Sequence, residues 1–281
     1  MVLKLETIVG TLSDAVRKLR KGTFQTSAEI TTERRTNEDL RDCWFWTANI
    51  GVYEHNEDGS LSYYIGDRTA FNTLAAKNID EFCTQLSSNG NYNLADNQRK
   101  SLKKLAEQGH AVKVNPDELR LQWEEKEWQY FEIDTRDYSS LTKSQRALAE
   151  MVYGAGQKFD KNMEGLAKGG ISTTRIYVLN PEYVRSNVEN GSAVARAGRL
   201  DGFGDSSDFS AGERYASNQR ALRGVPVKSP KATRGENAIP DYKGMYQAMI
   251  ANPAEAARHL TRKTATGVLS VLNAFYNPRK S

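Results

Sequence analysis

Apolar residues recur along the chain with periods that change repeatedly, and each change marks a predicted element. Leu3, Leu5, Ile8, Val9, Leu12, Val16 and Leu19 fall at three- and four-residue spacings, which predicts an N-terminal amphipathic helix ending before Lys21 and Gly22. A polar, charge-rich connector covers residues 23–42. Residues 43–53 are aromatic and β-branched, residues 61–65 are again strand-like, and Glu57-Asp58-Gly59-Ser60 supplies a turn between them, so this part reads as a β-hairpin. Helical periodicity returns over residues 69–77, 79–86 and 96–108, with a turn-rich break at residues 87–91.

Residues 111–114 form a short strand candidate that Asn115-Pro116-Asp117 ends. Alternation at Leu119, Leu121 and Trp123, and again at Trp128, Tyr130 and Ile133, favours one or two strands interrupted by Glu124-Glu125-Lys126-Glu127, with a helix from Asp117 as the alternative. Residues 141–163 are the longest helical candidate, weakened at Gly154-Ala155-Gly156, and residues 174–179 are a strand.

The pattern then stops. Residues 188–240, with the centre AVARAGRLDGFGDSSDFSAGERYASNQRALRG, hold few large aliphatic side chains, and such a segment cannot by itself bury enough surface to offset the entropy of ordering it. It reads as a long insertion whose order depends on a scaffold or a neighbour. Beyond it, residues 241–250, 253–260 and 264–276 predict three helices, the last apolar on most faces. The expected fold class is therefore α+β, with an N-terminal helix and an antiparallel hairpin-containing body (residues 1–187), a long Gly/Ser/Asp/Arg-rich insertion acting as an extended loop or arm (188–240), and a helical C-terminal region packing on the body or a neighbouring subunit (241–281).

Composition changes this picture little. The 281 residues are 38% hydrophobic and 26% charged, values that fit a globular protein. No run is long and apolar enough to span a bilayer, and the charged N-terminus lacks a signal-peptide core, so the expectation is a cytoplasmic protein without membrane contact. Cys43 and Cys83 lack a CxxC partner and read as reduced thiols. The net charge of +4 is unevenly placed: residues 181–281 carry 15 of the 39 basic groups and 9 of the 35 acidic ones, a local excess that suits a polyanion or an ordinary basic surface.

Candidate chemistry is sparse. HExxH, paired CxxC, GxSxG and GxxxxGK[ST] motifs are absent from the sequence, which removes the reactions those motifs carry. His55, His110 and His259 are dispersed and read as surface or boundary residues. Asp117, Glu125 and Lys126 faintly suggest a metal-assisted phosphodiester site, yet a solvated charged turn explains them better. Asp201, Asp205 and Asp208 lack EF-hand spacing and read as loop-organising turns. The strongest signal is the interleaving of arginines and aromatics in the insertion. Arg199, Phe203, Phe209, Arg214, Tyr215, Arg220, Arg223, Lys228, Lys231 and Arg234 together suit single-stranded nucleic acid, because guanidinium forks bind phosphate and aromatic faces stack bases. The intervening aspartates equally suit internal pairing.

The expectation from sequence is thus a noncatalytic structural or interaction subunit of a larger assembly. It self-associates or binds a protein partner, requires no cofactor or metal, and has nucleic acid as a second candidate partner through its basic C-terminal third. The alternative is an enzyme acting on nucleic acid or a phosphorylated substrate, with residues 188–240 as a mobile lid.

Overall fold

A computed structural model describes residues 5–19, 23–37, 40–41, 43–75, 79–123, 126–202, 207–213 and 220–224. All belong to one compact unit, Met1–Val227. In chain order the elements are β1 (Glu6–Gly10), α1 (Leu12–Lys18), α2 (Ser27–Arg34), β2 (Phe45–His55), β3 (Leu61–Gly66), α3 (Arg68–Leu74), α4 (Ile79–Asn89), β4 (Tyr92–Asn93), α5 (Asp96–Glu107) and β5 (Ala111–Val114). A 3-10 turn (Pro116–Leu119) leads to β6 (Gln122–Trp123), β7 (Trp128–Asp134), α6 (Lys143–Tyr153), α7 (Gln157–Lys168), β8 (Thr173–Leu179), α8 (Pro181–Asn187), β9 (Ser192–Leu200), β10 (Phe209–Glu213) and β11 (Arg220–Gly224).

These strands form one mixed sheet in the order β1-β11-β2-β9-β10-β8-β7-β6, with β3 pairing both β2 and β5, and β4 pairing β9. The long strand β2 is its spine. It is buried from Phe45 to Glu54 because side chains of both parities meet a core. Phe45 and Tyr53 enter one cluster with Phe131, Ile176, Leu148 and Phe159, beneath α6 and α7. Trp46, Ile50 and Val52 enter the other with Leu12, Phe71, Phe82 and Leu102, from α1, α3, α4 and α5. A sheet covered on both faces needs apolar or small residues at every position, which is the run β2 displays. Among the described residues no helix is long and apolar enough to cross a membrane.

The fold class expected from sequence is overturned. The N-terminal helix is replaced by a strand and a short helix: Thr7-Ile8-Val9 is β-branched, β1 pairs antiparallel with β11 from Glu6↔Gly224 to Gly10↔Arg220, and Thr11 caps α1 by accepting from the Asp14 amide. The described part of the expected insertion supplies strands β9, β10 and β11 of the sheet. β9 runs antiparallel to β2 over Phe45↔Leu200 to His55↔Ser192 and is flanked on its other edge by β10. Strands held in a ladder on both edges cannot swing together as a lid. Their small residues reflect close backbone approach rather than disorder: a Cβ added to Gly198 would lie 2.7 Å from the Asn49 carbonyl oxygen. The three helices expected over residues 241–276 lie outside the described residues.

Other differences are local. The connector contains α2, whose capping box joins Thr26 and Glu29. The long helix expected over residues 141–163 is two, α6 and α7, because Gly154 adopts φ 99 and ψ 150, a conformation closed to residues with a side chain. Gly154→Ala is expected to cost about 1–3 kcal/mol, read as a lower urea midpoint with an unchanged m-value. Both cysteines are free. Burial, reinforced by the Asp80 carboxylate, pushes the Cys83 thiol up to about 12, so it stays protonated and unreactive at neutral pH.

Candidate binding surface

One end of the sheet carries an exposed aromatic. Trp44 precedes β2, and its carbonyl oxygen accepts a 2.9 Å bond from the Ala221 amide, which fastens β11 beside it. Ala221 is opposite Phe45 on one side of β2, while Trp46 is opposite Arg199 on the other. By the two-residue period, Arg199 and Arg220 therefore share a sheet face with Trp44 and Trp46. The two guanidinium carbons lie 5.3 Å and 4.8 Å from the Trp44 ring centre, and Arg220 is also 5.4 Å from Trp46. Trp46 is buried, whereas Trp44 is 47% exposed.

Arg34, the last residue of α2, bonds to four described residues near this end from the opposite face of the sheet. Fully buried, it donates from Nε to the Leu40 carbonyl at 3.0 Å, from Nη1 to the Asp201 carbonyl at 2.6 Å and to Ser207 Oγ at 3.3 Å, and from Nη2 to the Cys43 carbonyl. Its guanidinium carbon sits 5.3 Å from the Phe45 ring centre. One side chain thereby holds the segment entering β2, the end of β9 and the start of β10, a task that suits the five-donor fork of arginine. The Asp201 amide donates to the Asp208 carbonyl at 2.9 Å, and the Ser207 carbonyl accepts from Tyr153 Oη and Thr174 Oγ1 at 2.8 and 2.9 Å. Arg199 Nε lies 2.8 Å from Asp201 Oδ1. This salt bridge orients Arg199 while leaving its charge partly offset. The result places apolar ring area beside guanidinium donors, a combination that dominates the centres of binding interfaces.

Of the residues singled out from sequence, Arg199 and Arg220 are brought together on Trp44. Phe209 is fully buried in the core and presents no ring face for stacking. Arg223 is directed elsewhere, to Glu33 Oε2 at 2.7 Å and Thr7 Oγ1 at 3.0 Å. Phe203, Arg214, Tyr215, Lys228, Lys231 and Arg234 lie outside the described residues. Asp201 and Asp208 meet at the loop base, where Asp208 Oδ1 accepts from the Arg175 amide at 2.8 Å; Asp205 is outside the described residues. Asp117 is exposed in the 3-10 turn with its amide capped by Asn115, Lys126 is exposed, and Glu125 is outside the described residues. His55 Nδ1 meets the Val188 carbonyl and His110 Nδ1 meets Asp67 Oδ2, each at 2.9 Å; His259 is outside the described residues. Among the described residues no cluster of three or more His, Cys, Asp or Glu side chains could hold a metal. Sequence reasoning missed Trp44 and Arg34. The alternation Trp44-Phe45-Trp46 at a strand start, and the Thr26-to-Glu29 capping box announcing α2, were the signals available.

No family model matches the sequence, and no curated protein does. A solved structure from Nanoarchaeota, described as "Accommodation of massive sequence variation in Nanoarchaeota by the C-type lectin fold", is similar over 79% of this chain and 97% of its own, with a TM-score of 0.51 and 9% identity. At that identity the likeness shows the fold alone: the sheet and its helices follow the C-type lectin fold, which replaces the arrangement expected from sequence.

Proposed function

We propose that this protein is a noncatalytic interaction subunit whose contact surface is the Trp44 end of the sheet. The observation that carries the reading is the half-exposed indole of Trp44 between two guanidinium groups, at an end of the sheet that Arg34 bonds to from the opposite face. Tryptophan and arginine supply most of the energy where they meet in an interface, and a preorganised platform loses little entropy on binding. The similar Nanoarchaeota structure adds a reason of design: by its description the C-type lectin fold accommodates massive sequence variation there.

Self-association is the favoured outcome. Sedimentation equilibrium should give a weight-average mass that rises with concentration toward at least twice the chain mass, and Trp44→Ala should hold it at one chain. A protein that remains a single chain at every concentration rules this form of the reading out.

A second reading, contact with single-stranded nucleic acid, is favoured by the convergence of Arg199 and Arg220 on one exposed ring. Titration with a fluorescently labelled oligothymidylate should then show binding that weakens steeply with salt and is lost in Arg220→Ala. Binding with no salt dependence, or equal binding by the variant, removes it.

A further inference from the structure

We propose that a cavity between the C-terminal end of α2 and the exposed side of α7, which Arg34 also lines, binds a tetrahedral oxyanion: phosphate or sulfate, free or as the terminal group of a small ester. The cavity measures about 250 Å³ and its wall includes Arg35, Arg41, Lys161 and Lys168, with Glu164 and Gly165 between the two lysines. Lys161 and Lys168 are seven residues apart on α7, so they project from one face two turns apart. Gly165 lies where the stem of Arg35 crosses the helix; a Cβ there would come within 2.8 Å of Arg35 Cγ.

The charges do not balance within this wall. Glu164 is taken by Lys168, Nζ to Oε1 at 2.5 Å. Among the described residues, Arg35 and Lys161 have no carboxylate within ion-pair distance. The Glu164 carboxyl is held below its usual range, first by Lys168 and further by Arg35 and Lys161, so the same positive field reaches it from several sides.

A competing explanation is that cations gather at helix C-termini to answer the backbone dipole. At α7 that demand is already met: the amides of Gly169, Gly170 and Ile171 donate to the carbonyls of Gly165, Ala167 and Leu166 at 3.0, 3.1 and 3.1 Å. At α2 the Thr36 and Asn37 amides donate to the Glu33 carbonyl at 3.0 and 2.9 Å and Arg41 Nε donates to the Arg34 carbonyl at 3.2 Å, which leaves Arg35, Lys161 and Lys168 as the cations that face the hollow between the two helices. A guanidinium fork beside two lysines in a polar cavity matches a small, multiply charged oxyanion better than a planar base or an apolar group.

The test is calorimetric titration of the full chain with inorganic phosphate and, separately, with phenyl phosphate, at constant ionic strength set with sodium chloride. Heats that saturate for phosphate alone identify the free anion, and heats that saturate for both identify a terminal phosphate group; either supports the site. The double variant Lys161→Glu with Lys168→Glu is expected to weaken binding about tenfold or more. Both lysines are exposed, and circular dichroism should show an unchanged fold; if it does not, Lys161→Gln serves instead, with a several-fold loss expected. Flat heats with both ligands overturn the proposal, as does equal affinity in a folded variant.

Discussion

Arg34→Ala is expected to lower the free energy of unfolding by about 4 kcal/mol, from lost charge-assisted hydrogen bonds and the cavity left behind. The side chain is fully buried, and its removal leaves the carbonyls of Leu40, Cys43 and Asp201 without this donor. Arg34→Lys should recover less than half of the loss, because an ammonium is a point donor and cannot span partners on three segments. The consequence reaches the binding surface. Amide exchange should quicken at Ala221, which bonds to Trp44, and at Asp201, which bonds to Asp208, while amides in α4 and α5 keep their protection. A variant with a wild-type urea midpoint and unchanged exchange would show that Arg34 does not hold these loops.

The second large effect is expected at Arg196, in the middle of β9. Its side chain is 1% exposed and binds Asn91 Oδ1 at 2.6 Å, Glu127 Oε1 at 2.7 Å and the Gly212 carbonyl at 3.1 Å, with Trp128 and Tyr183 rings 5.5 and 5.6 Å from its guanidinium carbon. It joins β9 and β10 to the segments before β4 and β7 and to α8. Glu127→Ala leaves a buried cation without this carboxylate and should cost about 3–5 kcal/mol. Arg196→Met in that background should restore part of the loss, since an apolar side chain removes the stranded charge. A double variant less stable than Glu127→Ala alone would mean that packing, rather than charge, dominates there.

Arg196 also shows why the sheet was only partly legible in the sequence. Strand β2 announces itself through Phe45, Trp46, Ile50, Val52 and Tyr53, and β3 through Tyr63, Tyr64 and Ile65, because aromatic and β-branched residues pack well on a pleat. The amphipathic stripes of α4 and α5 are visible in Phe82, Leu86, Leu102 and Leu105. β9 hides the same role under the small buried residues Ala193, Ala195 and Ala197, under Gly198, where neighbouring backbone approaches closely, and under a buried arginine that reads as a surface residue until its partner Glu127, distant in sequence, is known. Short-range periodicity carries no record of such long-range pairing. The N-terminal segment misled for the opposite reason: Leu3, Leu5, Ile8 and Leu12 happen to satisfy a helical spacing, while the partner that makes residues 6–10 a strand is β11, far along the chain.

The candidate surface was legible in half its parts. Arg199 and Arg220 stand out as basic residues near aromatics, but the sequence pairs them with Phe209, which is core, instead of Trp44, which is exposed. Spacing within one segment cannot say which side chains meet across a sheet. The aspartates that suggested internal pairing do account for Arg199, through Asp201; Arg223 finds its acid in Glu33 of α2.

The central claim, that the Trp44 end of the sheet is the contact surface, is tested most directly by hydroxyl-radical footprinting of the full chain across a concentration series that spans assembly. Trp44 should oxidise quickly when the protein is dilute and become protected as the mass rises, with the buried Trp46 slow throughout as an internal reference. Assembly with Trp44 oxidised at the same rate at every concentration would contradict the account.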